Sequence, residues 1–260
     1  MEIKPMLTLK NISAGYGGAP VIRNINLKIE NNVSIVGPNG CGKTTLLKVM
    51  ANILPSKGEI ALNEKPFAKL KRKEISAQIA LLSQQPMIYF SYSVFDTVML
   101  GRYIHIKDSF FGAPTNKDKE IVLKSLEAVE LLPEKDKSIT ELSGGQLQRV
   151  FLARVLAQEP RIILLDEPTN HLDLRCQVDI INHLKKWAKE GGRYIVGVLH
   201  DINLAMELSD QLIVMKNGEL QANDSASKIL SSGLLNETYD MNVAEYMRKT
   251  LKRWENGSWK

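Results

Sequence analysis

The sequence predicts an α/β fold with a buried, mostly parallel sheet, an antiparallel part at its beginning and a helical insertion in its middle. Three observations carry that prediction. A glycine-rich octet, Gly37-Pro38-Asn39-Gly40-Cys41-Gly42-Lys43-Thr44, joins the apolar run Val33 to Val36 to a helical stretch, Thr45 to Ala51. A second run, Ile162-Ile163-Leu164-Leu165, places four aliphatics in succession and ends in Asp166-Glu167, which suits a central parallel strand covered on both faces. Between them, from Ser91 to about Ala157, apolar residues recur at helical spacing.

The octet fits a phosphate-binding loop. Its glycines let successive backbone N–H groups curl inward around phosphate oxygens, Lys43 adds a cation, and Thr44 offers a hydroxyl to Mg²⁺. A nucleoside triphosphate is the expected ligand. The carboxylates Asp166 and Glu167 then emerge at the carboxyl edge of the sheet beside that loop, where open α/β sheets bind ligands.

Taken in order, Leu7 and Leu9, then Ile25, Leu27 and Ile29, alternate with period two and read as half-buried antiparallel strands. The loop between them, Ala14-Gly15-Tyr16-Gly17-Gly18, carries one aromatic. Tyr16 suits stacking on an adenine ring or packing at a strand end, and its place upstream of the phosphate loop favours the base. Pro55-Ser56-Lys57-Gly58 is a turn into a strand from Glu59 to Leu62, and Ile79 to Leu82 is a short apolar strand ending at Ser83-Gln84-Gln85-Pro86. Val94 and Val98, then Val122, Leu126 and Val129, mark the helices of the insertion, with a polar loop from Lys107 to Lys117 between them. Ile180, Leu184 and Trp187 mark a helix closed by Gly191-Gly192, and Tyr194 to Leu199 is a buried strand ending at His200-Asp201. A histidine at the end of a core strand is a stronger functional candidate than one elsewhere. Asn217-Gly218, between Gln211 to Met215 and Glu219 to Ala222, predicts a hairpin with a primed turn. The last stretch puts Val243, Tyr246, Met247, Leu251 and Trp254 on one helical face, with Arg248, Lys249, Lys252 and Arg253 away from it. Packing on the domain, or a frayed tail, is expected ahead of a membrane or partner contact.

Composition excludes several classes. The 260 residues are 44% hydrophobic, ample for a core. Met1 to Pro5 shows no basic region followed by an apolar run, and no apolar stretch approaches the length of a bilayer span, so a soluble, cytosolic chain is expected. Two cysteines, Cys41 and Cys176, make no disulfide framework and no zinc-ligand spacing. The charge of +5 is scattered along the chain, which favours a solvated surface over nucleic-acid binding. Cys41, among inward-facing N–H groups near Lys43, is expected to favour its thiolate.

Leu142-Ser143-Gly144-Gly145-Gln146, between the phosphate loop and Asp166-Glu167, completes an ordered set of motifs. With it the chain resembles the ATP-binding subunits of ABC transporters, from about residue 7 to about residue 243, with 244–260 as a C-terminal tail. The resemblance implies a P-loop NTPase fold: a RecA-like core, an antiparallel β subdomain, and a helical subdomain at about 87–157 bearing the signature. It also implies the roles. Tyr16 stacks on adenine. Gly37, Pro38, Asn39, Gly40, Cys41, Gly42, Lys43, Thr44 and Thr45 hold the phosphates of ATP and its Mg²⁺. Gln84, with Gln85 as its neighbouring candidate, reaches the metal and the attacking water. Asp166 binds Mg²⁺ directly or through water, and Glu167 acts as general base or water-orienting group. Asp173 is the D-loop residue, and His200 contacts the γ-phosphate.

Ser143, Gly144, Gly145 and Gln146, at a helix start, form an anion site of hydroxyl, N–H groups and helix dipole. In the resemblance it closes on ATP held by a second subunit, so two chains sandwich two ATP molecules. Val98-Met99-Leu100-Gly101-Arg102-Tyr103, Asn170-His171-Leu172-Asp173 and His200-Asp201-Ile202-Asn203-Leu204-Ala205 look like importers of iron-siderophore, haem or cobalamin, with zinc and manganese importers as close relatives. The implied assembly is a homodimer under two integral membrane permeases, at the cytoplasmic face of the membrane, served indirectly by an extracytoplasmic substrate-binding protein. The competing class is a soluble ABC ATPase; the chain lacks the long coiled coil of repair ATPases and the second nucleotide domain of translation factors, and iron-sulfur assembly stays open. Two departures stand out. Glu30-Asn31-Asn32 replaces the usual Gly-Glu turn, where asparagine in a left-handed turn is expected to preserve it, and Ser83 stands where proline commonly precedes the Q-loop glutamine.

Overall fold

The computed structural model describes residues 6–83, 91–106 and 113–255, with side chains as far as residue 252. Strands β1 (Leu7–Ala14) and β2 (Ile22–Ile29) lead to β3 (Val33–Val36), the phosphate loop and helix α1 (Lys43–Met50). Then follow β4 (Lys57–Leu62), β5 (Lys65–Pro66), α2 (Arg72–Ser76) and β6 (Ile79–Leu82). The insertion holds α3 (Val94–Met99), α4 (Asn116–Ala128) and α5 (Gly144–Ala157). The chain returns to the core with β7 (Ile162–Asp166), α6 (Leu174–Ala188), β8 (Tyr194–Val198), α7 (Ile202–Leu208) and the hairpin β9 (Gln211–Lys216) and β10 (Glu219–Ser225). It ends with α8 (Ala226–Ser231), α9 (Leu234–Tyr239) and α10 (Val243–Glu255).

The strands form two sheets. One is antiparallel, in the order β2-β1-β4-β5; the other runs β10-β9-β3-β8-β7-β6, parallel except for β10. Successive residues of the parallel strands feed two different cores. Ile162 and Leu164 join the core under the antiparallel sheet and α1, whereas Ile163 and Leu165 join the helical core on the opposite face. That division is why β7 reads as a continuous apolar run: each residue is covered, whichever way it points. All four aliphatics have no solvent exposure, and each buried side chain of this size stabilises by roughly 1.5–3 kcal/mol.

The helices begin where short polar side chains replace missing partners for the first N–H groups. Ser93, Thr115, Ser143, Asp173 and Asp201 each accept from an N–H of the helix they precede. Thr115 caps α4 inside the stretch expected as a polar loop, so helix begins at Asn116. The insertion is anchored by Arg102, which is buried. Its Nε donates to Asp118 Oδ1 at 3.0 Å, and its Nη1 donates to the Ala157 carbonyl at 2.7 Å and to Glu159 Oε2 at 2.8 Å. Three segments are thereby fastened at one guanidinium: the end of α3, the start of α4 and the exit of α5 toward β7.

Three expectations need correction. Neither Asn31 nor Asn32 adopts a left-handed conformation; instead Asn32 Oδ1 accepts the Ile195 N–H at 2.9 Å, so a side chain braces the turn against β8. Helix α1 starts two residues early, placing Lys43 and Thr44 in its first turn. The C-terminal face divides. Val243 is buried and Met247 packs on the core, whereas Tyr246 and Leu251 are 57% and 60% exposed.

Candidate ATP site

The phosphate loop is held by its own backbone and by Lys43. Gly42 has φ 101°, and a Cβ there would lie 2.5 Å from Ile22 Cγ2, so only glycine passes from the loop into α1 at this point. Lys43 is buried, and its Nζ donates to the carbonyls of Gly37 at 2.8 Å and Pro38 at 2.9 Å. An ammonium has three hydrogens, so the loop satisfies two and directs the group across its mouth. Thr44 Oγ1 donates to Asp166 Oδ1 at 2.8 Å, joining the loop to the end of β7. Burial pushes the Asp166 carboxyl above its usual range, against the Thr44 hydrogen bond, and the charge of Glu167 adds to the rise.

Glu167 leaves the strand in a left-handed conformation, φ 54°. Its N–H still donates to the Val198 carbonyl at 3.0 Å, so the bend turns the side chain toward the end of β8 while the backbone stays on the sheet. His200 Nε2 lies 2.5 Å from Glu167 Oε1, and Asn170 Nδ2 donates to Oε2 at 2.5 Å. The histidine expected at the γ-phosphate therefore has the carboxylate as its partner here. A non-glycine residue with positive φ is a costly conformation that clusters at functional sites, and Glu167 is such a residue with both carboxylate oxygens engaged.

The signature forms a second group. Ser143 Oγ accepts the Gln146 N–H at 3.3 Å, and Gln146 Oε1 accepts the Ser143 N–H at 3.0 Å, a reciprocal cap on α5. Gln146 is thus occupied in holding Ser143. A Cβ on Gly145 would come within 2.5 Å of Cys176 Sγ, so α5 and α6 touch there. Asp173, at the start of α6, accepts from Cys176 through its N–H at 2.8 Å and its thiol at 3.4 Å; those bonds, the backbone one first, hold its carboxyl below the usual range. Among the described residues, no hydrogen bond joins the side chains of Ser143 or Gln146 to the phosphate loop of the same chain.

Three residues that motif spacing does not single out connect the groups. Buried Gln148 on α5 donates to the Pro168 carbonyl at 3.0 Å; Gln177 on α6 donates to the carbonyls of Thr169 at 3.2 Å and Leu172 at 3.1 Å; Asn170 holds Glu167. Asn170 lies inside one of the motifs, but nothing in its spacing points to the carboxylate. Tyr16 is 59% exposed, with its hydroxyl 3.5 Å from Thr45 Oγ1 and Lys48 Nζ 5.4 Å from the ring centroid. Cys41 reverses its expectation: burial raises its thiol pKa, and Lys43 offsets this only in part, so the thiol form is favoured. Gln84 and Gln85 lie outside the described residues.

The family model for ABC transporters matches residues 22–170, more than half of the chain and the span from β2 through Asp166 and Glu167. The chain belongs to the ABC transporter ATP-binding family. Like its family, this ABC ATPase hydrolyses ATP. The iron(3+)-hydroxamate import ATP-binding protein FhuC of Bacillus subtilis is 35% identical over 240 residues, covering 91% of this chain and 88% of FhuC. The cassette is similar in structure to a chain of an inward-facing, metal-chelate type ABC transporter, with TM-score 0.78 and 27% identity over 91% of this chain and 89% of that one. It is also similar to the dimeric bacterial ABC transporter cassette MJ0796, with TM-score 0.73 and 31% identity over 85% and 98%.

Proposed function

We propose that this ABC ATPase powers an importer of metal chelates, iron-siderophore or haem complexes first among them. The observation that carries the catalytic part is the pairing of Glu167 with His200 and Asn170 beside the Thr44–Asp166 contact. Lys43 and the loop amides hold the phosphates of ATP. Glu167 orients water in line with the γ-phosphate, or takes its proton. His200 and Asn170 keep the carboxylate aimed, and His200 reaches the γ-phosphate once the nucleotide is in place. In this class of reaction, positioning and charge stabilisation supply most of the rate.

Thr44 Oγ1 and Asp166 Oδ1 are hard oxygen donors at hydrogen-bond distance from each other, and one carboxylate with one hydroxyl suits Mg²⁺, which otherwise keeps waters and phosphate oxygens. Held by Thr44 and Asp166, Mg²⁺ would supply positive charge against the negative charge that builds up on the phosphates. Gln84 is proposed as a further ligand.

The exposed Ser143 and Gly144, beside exposed Leu174 and Val178 on α6, support closure of the signature on ATP bound to a second copy, as does similarity to a dimeric cassette. No helix among the described residues is long and apolar enough to cross a membrane. The proposed assembly places two copies beneath two membrane permeases at the cytoplasmic face, with a substrate-binding protein acting through them. Similarity to FhuC and to the metal-chelate type transporter supports the cargo class. The test is purification of tagged Glu167→Gln protein from gently solubilised membranes with Mg-ATP. Recovery of a polytopic permease of the metal-chelate class supports the reading; recovery of soluble partners alone, while a control transporter stays intact, refutes it.

A further inference from the structure

The phosphate loop has a second support behind it, outside the motifs. The β9–β10 turn packs against the loop's back: Gly218 N–H donates to the Cys41 carbonyl at 3.1 Å, and a Cβ on Gly37 would lie 2.1 Å from the Met215 carbonyl oxygen. The turn is pinned from its other side. Arg23 N–H donates to the Gly218 carbonyl at 2.8 Å, its Nη2 donates to the Asn217 carbonyl at 2.8 Å, and a Cβ on Gly218 would meet the Val21 carbonyl at 2.2 Å. With contacts this close, the turn has no slack that the loop does not share.

The same turn is tied to the C-terminal helices. Lys216 Nζ donates to the Glu237 carbonyl and, at 3.0 Å, to Asp240 Oδ1, placing a cation at the C-terminal end of α9. Tyr239, in that last turn of α9, packs on the helical core. Burial pushes its phenol up, and the backbone of Gly37 offsets part of that rise. Beyond α9, Asn236 Oδ1 accepts the Val243 N–H at 2.9 Å and binds α10 to the unit. Helix α9 therefore reaches the loop at Cys41, through Lys216 and the turn. Gly37 also supplies a carbonyl to Lys43.

We propose that the C-terminal helices brace the phosphate loop through the β9–β10 turn, with Lys216 as the positioning residue that sets the loop's affinity for the nucleotide phosphates. The proposal rests on the reading of that loop as the ATP site. It predicts a defined division of effects. Loosening the brace weakens phosphate binding, but leaves Glu167, His200 and Asn170 untouched, so turnover at saturating ATP is retained.

The experiment measures binding of a non-hydrolysable ATP analogue with Mg²⁺ by calorimetry, steady-state ATPase rates, and thermal unfolding of the full chain. The proteins are wild type, Lys216→Met and Lys216→Arg. Lys216→Met should raise Kd about five-fold, the scale of one hydrogen bond's net effect. KM should follow, with kcat within about two-fold of wild type, and Lys216→Arg, which keeps a cation within reach of both acceptors, should restore binding. Kd within two-fold of wild type in Lys216→Met overturns the brace. So does a fall in kcat and melting temperature that accounts for the loss of binding and is not relieved by arginine. Failure of the wild-type chain itself to bind the analogue removes the ATP-site reading, and the inference with it.

Discussion

Replacing Glu167 by glutamine exchanges one carboxylate oxygen for an amide nitrogen at the residue on which the proposed chemistry turns. The carboxylate accepts from His200 through one oxygen and from Asn170 through the other, and is largely buried. An amide has one acceptor oxygen and one NH₂, so in the Glu167→Gln variant the oxygen can keep the Asn170 bond while the NH₂ can hold His200 only by donating to Nε2 in the other imidazole tautomer; failure of that switch would cost about 1–3 kcal/mol of local stability. The strained φ of 54° is the same for either residue, so the backbone path through the site should survive. What does not survive is the group that orients water and accepts its proton. Loss of such a group typically lowers the rate 10²–10⁴-fold, about 2.7–5.4 kcal/mol on the barrier. Phosphate release at saturating Mg-ATP should fall by that factor, while the Kd for ATP stays within about three-fold and an ATP-bound dimer accumulates in size-exclusion chromatography. A kcat within about three-fold of wild type would remove Glu167 from its role. Loss of ATP binding together with the rate would show that the residue holds the site's shape instead of its chemistry.

Asn170→Ala removes one of the two holders of Glu167; kcat should fall about ten-fold with KM nearly unchanged, and equal losses in both would contradict an aiming role. Arg102→Met removes the buried guanidinium and leaves Asp118 without its charge partner, a type of change that costs about 3–5 kcal/mol; urea unfolding should show it, with Arg102→Lys rescuing little because one ammonium cannot reproduce the fork. Asp118 has its pKa lowered to about 2, first by the Thr115 hydroxyl, and Arg102 contributes. Because the folded value lies below the unfolded one, the stabilisation is fully present above about pH 4 and disappears as pH falls toward 2. Acid unfolding of Asp118→Asn should therefore lack that component, and coincident profiles would refute it. In a Cys176→Ser background, maleimide labelling of Cys41 should be slow at neutral pH and rise into the alkaline range; a plateau below about pH 8 would reveal a thiolate that burial should suppress.

Much of the site was readable because its motifs are local. Gly37 to Thr44 between a strand and a helix, and Asp166-Glu167 after four aliphatics, each place chemistry at a known point of a parallel sheet, and backbone geometry at short range follows from residue type. The signature's helix start was equally local, with Ser143 a short polar side chain ahead of α5; the Thr115 cap, inside a stretch read as polar loop, was not seen. Other expectations failed where the environment came from distant segments. Cys41 looks activated beside Lys43, yet desolvation, which depends on everything packed around it, outweighs the cation. The Asn31-Asn32 turn suggested left-handed backbone, but the available partner was the Ile195 N–H, 163 residues away in the chain.

By itself, the sequence determined the fold class, the family, the phosphate loop, the acidic pair and the order of the motifs, since each depends on periodicity or on residues adjacent in the chain. Only the tertiary structure decided how those pieces meet: Glu167 between His200 and Asn170, Thr44 against Asp166, three segments on Arg102, and α9 behind the phosphate loop. The physical reason is range. A turn or a cap is chosen by a few neighbouring residues, whereas a hydrogen bond between side chains far apart in sequence, and the burial that shifts a pKa, exist only once the sheet order and the packing on both its faces have been set.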